Sequence, residues 1–201
     1  MSKRNLALIG ATIVSIIYGV TFTIAKDVMP LYIDSYGFIL LRAGGSMILF
    51  WMVWLFMPKE KIVFSDFPRI IGAAFFGVAF NMLTFFKGLS LTSPISAAVI
   101  MVSTPMIVLA LSAIIMKERM KSRMIFGIIL GLIGTGFLIL YGKSIGSATN
   151  ASLGNFLVLV NAISYGFYLI IVKKLMDKYN AFTFVKWIYL FGFIMVLPFG
   201  W

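Results

Sequence analysis

The chain has 201 residues, 62% of them hydrophobic and 11% charged, with a formal net charge of +11 and a mean hydropathy of +1.07. Soluble domains run at about 45–50% apolar and about 25% charged, and a globule of this size cannot hide such an excess from water, so the chain belongs in a bilayer. Zero Cys, zero His and only six acidic residues exclude a disulfide scaffold, thiolate chemistry and most base- or metal-dependent enzymes, so no metal or cofactor is expected.

A transmembrane helix needs about 20 mostly apolar residues. Runs of that kind recur at 6–25, 36–57, 69–86, 94–116, 124–141, 153–172 and 181–200, which predicts seven spans joined by short connections. The first follows Lys3 and Arg4, as a signal peptide would. It is longer than the usual h-region of about 7–15 residues and has no small-residue cleavage site before Lys26, so it is read as a retained helix. Arg42 lies inside the second span. Asn81 and Thr84 lie in the third, which Lys87 closes, and Ser96, Ser103, Thr104 and Pro105 lie in the fourth. Glu118 and Arg119 follow the fourth span, Gly127-x-x-x-Gly131 sits in the fifth, and Asn161, Ser164 and Tyr165 sit in the sixth.

The basic residues predict the orientation. With the N-terminus in the cytoplasm, twelve fall inside (Lys3, Arg4, Lys59, Lys61, Arg69, Lys117, Arg119, Lys121, Arg123, Lys173, Lys174, Lys178) and three outside (Lys26, Lys87, Lys143). Arg42 and Lys186 complete the 17. The positive charge therefore reads as cytoplasmic loops facing anionic lipid in a plasma or inner membrane, with no nucleic-acid partner.

The seventh span reaches Trp201 with no polar flank, which predicts a chain cut short. An internal repeat points the same way. At an offset of 147 residues Tyr18-Gly19 aligns with Tyr165-Gly166, and Lys26 aligns with Lys173. The copies begin at spans one and six, so the unit holds five spans. An odd unit inverts the second copy, an arrangement typical of secondary transporters. Residues 1–146 form the first unit and 147–201 the start of the second, seven of an expected ten helices.

Further residues carry a family resemblance. The stretch from Asn81 to Pro94 is aromatic-rich and ends in a small-Leu pattern; Ala97, Ala98 and Pro105 follow within the fourth span. Lys117-Glu118-Arg119 closes that span, and Gly127, Gly131, Gly134 and Gly136 line the fifth. This pattern resembles the EamA-like branch of the drug/metabolite transporter superfamily. Arg42 matches the basic residue of the second helix there, and Tyr18 stands where many members carry Trp. The resemblance implies an all-α, polytopic bundle of two five-helix inverted repeats with both termini cytoplasmic. It implies transport of small metabolites, amino acids, nucleotide sugars or drugs.

Ionisable groups within a membrane are costly unless paired or wetted, so each is a candidate site. Arg42 is expected to line a central cavity and take an anionic group, or else to snorkel or bridge to Asp34. Lys87 can draw in anions or anchor the helix end. Asn81, Ser103, Thr104 and Asn161 are candidate cavity residues, and each needs a hydrogen-bond partner in an apolar helix. Tyr18 and Tyr165 are expected to face each other across a pseudo-two-fold cavity. Pro105 breaks the fourth helix as a hinge; Glu118 and Arg119 order the following turn; Gly127 and Gly131 permit close helix approach, within the chain or in a homodimer. The reading is a secondary transporter of a small solute, tilted towards anionic or zwitterionic ones. A seven-helix receptor and a non-transporting membrane fragment are the alternatives, and no enzyme activity is expected.

Overall fold

A computed structural model describes residues 3–57, 59–117, 121–141 and 150–200. Among them the chain forms seven helical rods. The first two are α1 (Lys3–Leu31) and α2 (Ser35–Leu55). The third runs from a 3-10 turn at Phe64–Asp66 through α3 (Phe67–Ala74) and a π-helical turn to α4 (Phe80–Leu91). The fourth is split into α5 (Pro94–Val102) and α6 (Thr104–Met116), and α7 (Ser122–Tyr141), α8 (Ala151–Met176) and α9 (Ala181–Val196) complete the set. Six rods are long and apolar enough to cross a membrane, and Ser122–Phe137 within α7 is a shorter apolar helix.

Local chemistry sets the ends. The Asp34 carboxylate accepts the Tyr36 N–H and caps α2, Ser93 caps α5 through the Ser96 N–H, and Asn150 and Asn180 cap α8 and α9. Asp34 is thus engaged at its own helix, and no ion pair joins it to Arg42 among the described residues. The fourth rod breaks at Ser103, two residues before Pro105, whose ring cannot sit in an unbroken helix.

The core lies where the third rod, α8 and α9 meet. On α8, Gly154, Val158, Asn161, Ala162 and Leu175 form the buried stripe, spaced as one face of a helix. Sequence reading of the fifth rod singled out Gly127 and Gly131. A side chain at Gly131 would meet the Met106 sulfur, whereas Gly127 has nothing within 4 Å. A crossing closed by backbone atoms lies elsewhere, between Gly88 of α4 and Gly154 of α8. A β-carbon on Gly88 would stand 2.9 Å from the Gly154 carbonyl oxygen. α1 and α7 flank this core and expose large apolar side chains such as Val14, Ile17, Leu130 and Phe137, as helices facing lipid tails do.

The π turn at Phe75–Ala79 shows how the core resolves a backbone defect. The Phe80 N–H bonds to the Phe75 carbonyl, five residues back, and so leaves the Phe76 carbonyl that an α-helix would give it. Ser164 of α8 donates to that carbonyl at 2.6 Å instead. Gly77, in the same turn, leaves room for the Tyr168 ring. Ser164→Ala should therefore lower stability by about 1 kcal/mol, the net worth of such a bond. Thermal unfolding in detergent reads this; an unchanged midpoint would mean the Phe76 carbonyl finds another donor.

Candidate functional site

Arg42 stands in the second turn of α2 with its guanidinium 5.6 Å from the Phe86 ring centroid. It makes no hydrogen bond or ion pair among the described residues. Both ion pairs recorded there belong to Asp66. Arg42 is exposed, and Tyr18 on α1 and Tyr189 on α9 lie within electrostatic range of it without a recorded contact. Tyr168 packs on Tyr165 with ring centroids 5.7 Å apart. Tyr18 and Tyr165, expected to face each other across a cavity, lie within electrostatic range of one another, and neither lines the groove at Arg42.

The aromatic floor under this group is continuous. Tyr18 meets Phe22 edge-on at 5.3 Å, Phe22 meets Phe85 at 5.3 Å, and Phe85 meets Phe86 at 5.0 Å. Phe86 lies beneath the guanidinium. A groove of about 310 Å³ between α1 and α2 reaches Arg42; its walls include Phe38 and, from the same exposed face of α1, Ile17, Val20 and Ile24. The groove sets apolar walls beside one planar cation whose donors make no hydrogen bond among the described residues, and the tyrosines lie outside its lining.

The other expected site residues are engaged elsewhere. Asn81 and Asn161 clamp α4 to α8, each side-chain amide donating to the other's backbone carbonyl, at 3.4 and 2.9 Å. Ser103 shares a 2.8 Å hydrogen bond with Thr135 of α7, which ties the helix break to its neighbour. Thr104 reaches the Met101 sulfur at 3.8 Å. Lys87 lies 5.4 Å over the Tyr36 ring, an interfacial cation–π contact. Glu118 and Arg119 lie outside the described residues.

Three features escaped the sequence. Lys26 is buried and donates to the carbonyls of Leu89 and Ser90, at 3.0 and 2.7 Å, so it caps the C-terminal end of α4. Asp66 is 1% exposed and gathers Arg69 at 2.6 Å, Lys178 at 3.1 Å and the Tyr179 hydroxyl at 2.8 Å. With the Val63 N–H on the Tyr179 hydroxyl and the Asn180 N–H on Glu60, this latches the α2–α3 connection to the α8–α9 connection. Lys186 is buried against three tryptophans at the start of α9. In sequence little marks these three, because apart from Arg69 beside Asp66 and Trp187 beside Lys186 their partners lie 63 or more residues away.

The model of the EamA-like transporter family matches residues 5–141 and 152–201. The chain belongs to the EamA-like transporter family. That family falls in the drug/metabolite transporter superfamily, and with six apolar helices long enough to span a bilayer the chain is a multi-pass membrane protein. An uncharacterized transporter of Bacillus subtilis (strain 168), YetK, is 25% identical over 137 residues, which cover 68% of this chain and 42% of YetK. An uncharacterized transporter of Archaeoglobus fulgidus is 28% identical over 141 residues, 70% of this chain and 49% of that protein. YyaM of B. subtilis, also an uncharacterized transporter, is 30% identical over 132 residues, 64% of this chain and 43% of YyaM. The chain thus matches just under half the length of these EamA-like relatives. No solved structure matches it.

Proposed function

We propose that the protein is a secondary transporter that carries a small anionic or zwitterionic metabolite across the inner membrane by alternating access. The single observation that carries the reading is Arg42: a guanidinium on a spanning helix, over the Phe86 ring and at the edge of a groove, without an acidic partner among the described residues. A carboxylate or phosphate on the solute supplies the missing acceptors, and the aromatic floor takes its apolar part. Cationic drugs are disfavoured, because Arg42 repels them.

The repeat supports the same reading. At the 147-residue offset Tyr18 maps to Tyr165 and Arg42 maps to Tyr189, so repeat-related positions surround one point. Residues 1–146 and 147–201 are then the first unit and the beginning of an inverted second one, with the site on their shared axis and the N-terminus in the cytoplasm.

Counterflow in proteoliposomes with a panel of radiolabelled amino, hydroxy and phosphorylated acids tests it. For any acid exchanged, Arg42→Gln should reduce exchange at least tenfold, since a charge-assisted pair contributes about 1.5–3 kcal/mol and tenfold is about 1.4 kcal/mol. Arg42→Lys should retain part of it. Exchange undiminished in Arg42→Gln, or a preference for cations, would overturn the assignment.

A further inference from the structure

Lys186 is the sixth residue of α9, at the seam with α2, and only 4% of it is exposed. Its ammonium lies 3.0 Å from the ring centroid of Trp54, 4.7 Å from that of Trp51 and 5.5 Å from that of Trp187. It has no hydrogen bond and no ion pair among the described residues. Lys26, equally buried, shows the contrast: it spends its donors on two carbonyls. Indole faces attract a cation through their quadrupole, but they accept none of the three N–H bonds an ammonium offers. The tryptophans add to the surplus. The indole nitrogens of Trp51 and Trp54 are also buried without a hydrogen-bond partner. Tryptophan can only donate. Two buried indole N–H donors without a partner and one ammonium thus share a cluster in which no acceptor stands among the described residues.

Buried donors are normally satisfied, and a cluster of them with a net positive charge is complementary to an anion. We propose that Lys186, with the indole N–H groups of Trp51 and Trp54, forms a second anion-binding station on the α2–α9 seam, which receives the carboxylate or phosphate of the solute bound at Arg42. The purpose of the station rests on the transport reading above; its binding chemistry does not.

Trp51 lies nine residues beyond Arg42 on α2, about 13 Å along the helix and half a turn round it, and Lys186 lies one turn before Tyr189 on α9. The two cations therefore stand at different depths of the bundle. Below Lys186 the seam is shut by Trp51 against Trp187 at 5.3 Å, by Phe67 against Trp187 at 5.4 Å, and by the Asp66 latch. In this closed arrangement the ammonium rests on the indole faces. When the latch side opens, the same donors turn to the anion.

Three of the four tryptophans belong to the cluster, so intrinsic fluorescence reads it directly. The protein in neutral detergent, free of anionic lipid, is titrated with acetate, with inorganic phosphate, and with acetamide as the uncharged isostere of acetate. A saturable emission change with acetate or phosphate and none with acetamide is expected. Lys186→Arg should keep it, Lys186→Met should abolish it, and Trp51→Phe, which keeps the ring face but removes one donor, should weaken it severalfold. If Lys186→Met fails to fold, the acetamide comparison and Trp51→Phe still decide. Equal responses to acetate and acetamide, or a response unchanged in Lys186→Met, would overturn the station. So would a response confined to added phosphatidylglycerol, because the site would then take a lipid headgroup. A response lost in Arg42→Gln but intact in Lys186→Met leaves the transport reading standing and this inference refuted. A Lys186-dependent response without counterflow of any acid does the reverse.

Discussion

Gly154→Val is expected to cost about 3 kcal/mol of stability, enough to leave little folded protein, because the crossing of α4 and α8 has no room for a β-carbon. A β-carbon on Gly154 would stand 2.7 Å from the Gly88 carbonyl oxygen and 2.8 Å from the Thr92 backbone nitrogen. Those are backbone atoms, which cannot swing aside as a side-chain tip can. The helices would have to separate, and overpacking on this scale costs about 1–3 kcal/mol, more where nothing yields. Separation would also strain the buried 2.6 Å bond from the Thr92 hydroxyl to Asn155 at the same crossing. Close backbone approach through small residues is how helices associate in lipid, where apolar burial gives no preference for protein over tails. Gly127→Ala is the control. Nothing lies within 4 Å of Gly127, so alanine should leave stability unchanged or raise it by up to about 1 kcal/mol through helix propensity. Thermal unfolding in detergent compares the two; a Gly154→Val protein as stable as Gly127→Ala would show that the crossing can open without loss.

Asp66→Asn is expected to open the face of the bundle on which the α2–α3 and α8–α9 connections meet. Asp66 is buried and is the acceptor for Arg69, Lys178 and Tyr179 together. Its amide replacement has no charge to hold two cations. Lys178 and Arg69 are about half exposed, so water and salt screen the pairs, and the effect falls on the balance between closed and open seam rather than on folding as a whole. The sequence has no cysteine, so a single reporter can be placed at will. Alkylation of Val185→Cys, on α9, should speed up severalfold in Asp66→Asn. Added salt should speed it in the parent protein and have little effect in the variant. Equal rates with and without Asp66 would mean that the tryptophan and phenylalanine packing alone keeps the seam shut. Tyr179→Phe, which removes one of the three donors, should fall between.

Much of the architecture was legible because lipid imposes a one-dimensional constraint. A spanning helix must satisfy its own backbone and needs a fixed length of apolar sequence, so runs of apolar residues map directly onto rods. The break in the fourth rod was legible for a similar reason: Pro105 removes an N–H and clashes one turn back, and Ser103 ends α5 just before it. Arg42, Tyr18 and Tyr165 stood out because a cation in a span is costly and because a Tyr-Gly pair recurs at one offset.

Asn81 and Asn161 show where that reading runs out. Each was a reasonable cavity residue by type, yet each side-chain NH₂ donates to the other's backbone carbonyl across 80 residues of sequence, and the Asn161 amide oxygen is left buried without a partner. Ser103 with Thr135, Ser164 with the Phe76 carbonyl and Lys26 with the end of α4 follow the same rule. A polar group in an apolar helix must find a partner, and its type alone does not say which.

From sequence alone come the membrane setting, the rods and their breaks, and the family, since these depend on composition, run length and local backbone chemistry. The tertiary structure alone decided which polar groups cancel and which are left over. It paired Asn81 with Asn161, gathered three donors on Asp66, left Arg42 exposed over Phe86, and set Lys186 among indoles without an acceptor among the described residues. The physical reason is that desolvation is a local cost and its relief is not: the partner that satisfies a buried donor is chosen by how the helices cross, and only the folded chain brings it within reach.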